Sequence, residues 1–298
     1  MRKYFILMSF LLTSAANGAV TWRGDYETGN TSQWFEIEGL ASRLTVVQSP
    51  ARQGKYALRT ELRSGDYASS GCRNELSRSD VHETEGTERW YAWSTMFDET
   101  YPSANTWQVF TQWHHNGPTG SPPLEFDVVG ENLQLSGAAT GSTRVLWTAP
   151  LRRGVWHDFV VHVRWSASSG SVELWYDGQK ALEATPFKTL YDGQYVYLKQ
   201  GLYRDASIQQ TAVVYHDGMR VGDSLADVAP ELAAPPVVPP APEASPAADA
   251  GTPVDSAAPA PVAAAAMGFP NGGCSSAGVG IFSLLGLAVL FARRRSRA

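Results

Sequence analysis

Cysteine is nearly absent: the 298-residue chain has two, Cys72 and Cys274. They fall in regions of different composition, so the body of the chain can hold no internal disulfide. A lone cysteine in a strand is expected to act as a small buried apolar group. Long hydrophobic runs are equally scarce. Tyr4–Leu12 is too short to cross a bilayer comfortably, and Ala277–Ala292 is marginal. No segment between them carries a sustained helical period, which argues against a helical bundle. Positive charge is in deficit. Setting aside the six basic residues of the two ends and the four acids after residue 228 leaves 18 Lys and Arg against 25 Asp and Glu, net −7. A nucleic-acid partner is therefore not expected. The histidines lack ligand spacing and no loop is dense in acids, so no metal site or cofactor is expected.

The two ends read as targeting elements. Arg2-Lys3, the apolar stretch after them and the small-residue Ala16-Asn17-Gly18 have the pattern of a secretory signal over residues 1–18. No cysteine follows that site, which argues against a lipoprotein. Residues 229–270 are dominated by Ala and Pro and are expected to form an extended stalk, since they cannot bury a core. In residues 271–298, Gly272-Gly273-Cys274 precedes the apolar run and Arg293-Arg294-Arg295-Ser296-Arg297. This tail resembles the C-terminal sorting tags of myxobacterial surface proteins, where the cysteine is the processing point. A plain anchor with its arginines on the cytoplasmic side is the other reading. Both put the folded part, residues 19–228, at a cell surface or outer membrane, or released from it. Only the tail would touch a membrane, and the folded part is expected to be monomeric.

Residues 19–228 read as all-β. Leu44–Gln48, Tyr56–Leu62, Arg89–Phe97, Trp107–His115 and Leu124–Val129 are rich in β-branched and aromatic residues, with Gly, Pro, Asn and Ser between them. The clearest hairpin joins Val155–Trp165 to Ser171–Gly178 through Ser166–Gly170. Regular short strands of this kind predict a sandwich or jelly roll. Gly154-x-Trp156-His157 leading to Trp175-Tyr176-Asp177-Gly178 resembles the back-sheet hairpin of concanavalin A-like folds. Trp107, Trp113 and Trp175 are expected either to pack in the core or to line a sugar groove.

Three strand segments carry polar groups suited to chemistry. Side chains alternate between the faces of a strand. Gln112 and His114 therefore share a face, as do Tyr197, Lys199 and Tyr203, with Gly201 leaving space between the last two. Arg73 and Glu75 share a face of Arg73-Asn74-Glu75-Leu76. An amide, an imidazole, cations and a phenol suit proton abstraction from a carbon next to a carboxylate. Neutralising that carboxylate stabilises the enolate-like intermediate. If the acid is a uronate, a base must then reach its C5 and an acid must protonate the leaving O4. Tyrosine is a poor base at neutral pH without help. Lys199, four residues before Tyr203, is the expected source of the helping charge. Where the C5 proton and O4 lie on one side of the ring, as in D-glucuronate, one tyrosine serves as base and then acid. For an L-configured uronate they are opposed, and His114 is the expected base. His115 should face away from His114 and be structural, and His82, His157, His162 and His216 should be packing or surface residues.

Arg-x-Glu-Leu at Arg73, Gln-x-His at Gln112 and Tyr-x-Lys-x-Gly-x-Tyr at Tyr197 match, in order, the three motifs of jelly-roll alginate lyases. Gln112-Trp113-His114 with Lys199-x-Gly201-x-Tyr203 resembles the heparin lyase I and glucuronan lyase branch, as does the closing Val214–Gly222. The resemblance implies a concanavalin A-like β-jelly roll that degrades an acidic, uronate-containing polysaccharide by β-elimination. It implies Tyr203, His114, Gln112, Lys199 and Arg73 as catalytic, with Gln112 neutralising the carboxylate. Asn74, Glu75, Trp113, Tyr197 and Arg204 are expected to contact substrate. Calcium occurs in this fold class, but nothing in the sequence indicates it. Alginate lyases usually carry a further Arg two positions after the motif Glu, and this chain has Ser77 there. The expected substrate is therefore glucuronan-type before alginate or a heparin-type polymer.

Two other classes compete. Concanavalin A-like glucanases use Glu-x-Asp-x-x-Glu. Glu125-Phe126-Asp127 begins that pattern, but Gly130 stands where the last Glu is required. A non-catalytic carbohydrate-binding module would suit the stalk and tag, yet it has no use for a tyrosine and histidine poised together.

Overall fold

The computed structural model describes residues 19–233 except Ser70 and Thr119. The expected signal, the tail and all of the stalk after residue 233 lie outside the described residues. Fifteen strands occur among those described: Trp22–Gly24 (β1), Glu36–Glu38 (β2), Leu44–Val47 (β3), Ala57–Leu62 (β4), Cys72–Ser77 (β5), Glu88–Phe97 (β6), Gln108–His115 (β7), Leu124–Val129 (β8), Asn132–Gly137 (β9), Arg144–Pro150 (β10), Trp156–Arg164 (β11), Ser171–Tyr176 (β12), Gln179–Pro186 (β13), Val196–Arg204 (β14) and Ala212–Gly222 (β15). The strand ends read from the sequence differ from these by a residue, or by two at the end of β12, and Leu124–Val129 is identical. The predicted hairpin is β11–β12, pairing Phe159 with Tyr176.

The strands form two antiparallel sheets, the architecture of a β-jelly roll. One runs β13-β12-β11-β6-β15-β4-β3, with β1 added on β15. The other runs β10-β9-β8-β7-β14-β5-β2. Their facing sides bury an aromatic core, in which Trp93 stacks on Phe159 at 5.0 Å and Trp113 meets Trp165 at 5.9 Å. Alternation decides what each strand sends inward. On β7 it turns Gln112 outward and Trp113 inward, so Trp113 is fully buried in the core. The expectation that Trp113 contacts substrate is thereby corrected. Trp175 packs on the opposite sheet, beside Trp90.

The fold continues past the boundary expected at Val228. Ser224 caps a one-turn helix, Leu225–Val228 (α1), and a second follows at Pro230–Ala233 (α2). Val228 and Ala229 are fully buried in a small cluster with Ala92 and Val160, against which Trp90 and Trp175 pack. Val228→Ala removes two buried methyl groups and should cost about 1–2 kcal/mol, read as a lower denaturant midpoint. Among the described residues no helix is long and apolar enough to cross a membrane.

Candidate active site

The outer face of the second sheet brings the motif residues together because three of its central strands are neighbours. In β14, Lys199 pairs with Gln112 of β7 and Ser77 of β5, and Tyr203 pairs with Val109 and Arg73. A register shift between Gln200 and Tyr203 relative to β7 marks a bulge at Gly201. Gly201 has φ +151°, and a Cβ there would lie 2.3 Å from the Asn74 carbonyl oxygen. Glycine thus lets β5 approach closely, rather than leaving open space as the sequence suggested.

Two adjoining cavities of about 480 and 470 Å³ cross the strands of this face. Arg73, His114, Gly120 and Tyr203 line both, so they form the junction of one groove. The first half adds Trp107, Gln134, Glu125 and Asp127. The second adds Glu38, Tyr197 and Lys199.

A paired charge network underlies the junction. Lys199 Nζ lies 2.5 Å from Glu38 Oε1. Arg73 bridges Glu38 at 3.5 Å and Glu75 at 3.3 Å, and its buried Nε has no partner among the described residues. Gln112 Nε2 donates to Glu75 Oε1 at 2.6 Å. Burial pushes the Glu75 carboxyl up, opposed by Lys199, Arg73 and the Gln112 hydrogen bond. Gln112 and Glu75 are essentially unexposed and lie beneath the groove floor. Against the expectation that both reach substrate, Gln112 donates to Glu75 and neither side chain lines the two cavities.

The cation beside Tyr203 is also not the expected one. Lys199 sits over the Tyr197 ring at 5.6 Å, whereas the Arg73 guanidinium lies 3.8 Å from the centre of the Tyr203 ring. Trp107 packs edge-on against that ring at 4.8 Å. The Tyr203 hydroxyl has no hydrogen-bond partner among the described residues. Gly71 lies beneath it: a Cβ there would be 2.5 Å from Tyr203 Cε2. Gly71→Val should displace the ring and lower activity about tenfold through kcat, with little change in melting temperature.

His114 is held as a neutral base. Its Nδ1 lies 2.7 Å from the His115 carbonyl, which can only accept, so Nδ1 donates and Nε2 keeps its lone pair. Burial, reinforced by Lys199, pushes the imidazole down to about 4. Tyr197 is pushed up to about 12 by burial and by Glu38 and Glu75, which keeps its hydroxyl protonated. His115 does not face away from His114 as expected: its buried ring stacks on that of His114 at 4.9 Å while contacting Gln194, Gly117 and Gly120.

Two further expected contacts lie away from the groove. Asn74 points inward, donating to the Glu61 carbonyl and Asp66 and accepting from Leu40 N. Arg204 also turns from the groove and donates to the Gln210 carbonyl at 2.6 Å. Both corrections follow from alternation, since Arg73 and Tyr203 take the outer positions. Conversely, Glu38 lies on β2, a three-residue strand with no periodicity to read. Glu125 and Asp127 were legible as outward residues of one strand, but only as an incomplete glucanase pattern. Burial pushes them up to about 8 and about 7, with Asp127 adding to the effect on Glu125. The groove therefore does not concentrate unpaired positive charge against the acidic body. Among the described residues no three His, Cys, Asp or Glu side chains are grouped to hold a metal ion.

The model of the polysaccharide lyase family matches residues 26–220. No curated protein sequence matches the chain significantly. Among solved structures, the chain is similar to an endo-β-1,4-glucuronan lyase from the fungus Trichoderma reesei, at 18% identity and a TM-score of 0.60 over 70% of this chain and 98% of that one. A family 7 alginate lyase carrying two substitutions and bound to substrate gives 11% and 0.53 over 67% and 97%. A GH131 β-glucanase catalytic domain from Podospora anserina gives 12% and 0.51 over 70% and 100%. Likeness at these identities is likeness of fold, and lyases and a glucanase share it.

Proposed function

Because the chain belongs to the polysaccharide lyase family, we propose that it cleaves a glucuronate-containing polysaccharide by β-elimination. The observation that carries this reading is the convergence of Arg73, His114 and Tyr203 at the junction of the two halves of the groove. The uronate carboxylate is placed against the Arg73 guanidinium, which lines both halves of the groove, with Lys199 adding charge from β14. Charge developing on the carboxylate as C5 loses its proton is stabilised there. For D-glucuronate, Tyr203 takes the C5 proton, the C4–O4 bond breaks, a C4–C5 double bond forms, and the proton passes to O4. For an L-configured uronate, His114 Nε2 is the base on the opposite side. Ser77 in place of an arginine supports glucuronate over alginate. We further propose an exported enzyme, displayed at the cell surface or outer membrane through its tail, that works as a monomer without a cofactor.

The test is incubation with glucuronan, alginate and heparin-type polymers, following the ultraviolet absorbance of the unsaturated uronate. Its appearance on a glucuronate polymer supports the proposal, and its absence on every polymer overturns it. Glu125 and Asp127 in the groove give a hydrolase reading a specific footing. Complete loss of cleavage in Glu125→Gln with full activity in Tyr203→Phe would favour hydrolysis.

A further inference from the structure

Glu125 and Asp127 take no part in the proposed elimination, yet they dominate one half of the groove. Both project from β8 beside Trp107, Gln134 and Thr143. They are only 8% and 4% exposed, and Asp127 Oδ1 has no partner among the described residues. A buried carboxyl oxygen that faces a cavity calls for a hydrogen-bond donor. The half-buried Trp107 offers an apolar surface of the kind a sugar ring can cover. Among the described residues the cation lining this half is Arg73, at its edge and already paired to Glu38 and Glu75.

A sugar seated here would bring its hydroxyls to Glu125 and Asp127, which can accept from them. A sugar whose carboxylate or sulfate stood in place of those hydroxyls would bring acceptors against Glu125 and Asp127, leaving the buried Asp127 Oδ1 without a donor. The other half differs in holding two cations, Lys199 as well as Arg73, both paired to Glu38.

We propose that the β8 side of the groove is a subsite for a sugar without an acidic substituent, so that the substrate alternates uronate with a neutral or amino sugar. This rests on the elimination reading above. It narrows the substrate from any glucuronate polymer to an alternating one and disfavours homopolymeric glucuronan and sulfated chains.

The experiment compares kcat/KM for unsaturated product on glucuronan and on an unsulfated polymer alternating glucuronate with glucose. The alternating polymer should be preferred about tenfold or more. Asp127→Asn and Glu125→Gln should each narrow that preference by raising activity on glucuronan. Equal or greater efficiency of the unsubstituted enzyme on glucuronan overturns the subsite while leaving elimination standing. An unchanged preference in both variants overturns it too. No unsaturated product from either polymer overturns the elimination reading and this inference with it. Should neither variant fold, the preference of the unsubstituted enzyme decides alone.

Discussion

Tyr203→Phe is expected to lower the elimination rate roughly 10²–10⁴-fold, the usual contribution of a positioned proton-transfer group. The loss should fall on kcat, because the ring keeps its place. Its anchors are the Arg73 guanidinium at 3.8 Å and Trp107 at 4.8 Å, and neither uses the hydroxyl. That hydroxyl has no partner among the described residues, so the melting temperature should be unchanged. Tyr197→Phe is the control. Its hydroxyl is kept protonated and makes only a long, 3.5 Å contact with His114 Nδ1, so the change should cost less than about tenfold. Initial rates of unsaturated product, with melting curves, check both. If Tyr203→Phe retains more than about a tenth of the activity, Tyr203 does not transfer the proton.

The second large effect is on stability. Glu125, pushed up to about 8 in the fold, should make the protein less stable as pH rises. Below the ordinary carboxylate value both states hold the proton and nothing is lost. Between that value and about 8 the unfolded chain releases it while the fold retains it, so unfolding becomes easier. Asp127 at about 7 and Asp217 at about 6 act in the same direction. His114 and His216 are depressed, to about 4 and about 3, and act oppositely: they cost stability as pH falls below the usual histidine value. Stability should therefore peak on the weakly acidic side of neutrality. A shift of Glu125's size corresponds to at most about 5 kcal/mol, and water in the groove beside it reduces this to about 2–4 kcal/mol. Denaturant unfolding of Glu125→Gln should recover that amount at about pH 9 and almost none at about pH 4. Equal effects at both would show that its burial is not what sets the pH dependence.

Much of the fold was legible because its strands are long and aromatic. The segments from Leu44 to Val129 and the β11–β12 hairpin announce themselves by β-branched residues and glycine-bounded turns. Arg73, His114, Lys199 and Tyr203 could likewise be assigned to one face by alternation alone. What alternation cannot give is depth or partner. Gln112 is on the correct face but lies beneath the groove, held by Glu75. Lys199 is on the correct face but is captured by Glu38 from an edge strand far away in sequence. Arg73, and not Lys199, is then the cation that lies over Tyr203. Trp113, Asn74 and Arg204 show the converse, since each neighbours a groove residue in sequence and therefore points away from the groove.

The central claim is that cleavage is elimination at a uronate. It is tested most directly by digesting an unsulfated glucuronate–glucose polymer in heavy-oxygen water and weighing the fragments. Elimination predicts new non-reducing ends that are unsaturated and one water lighter than hydrolytic ends, with no heavy oxygen at the break. Saturated fragments carrying one heavy oxygen per cleavage would contradict it.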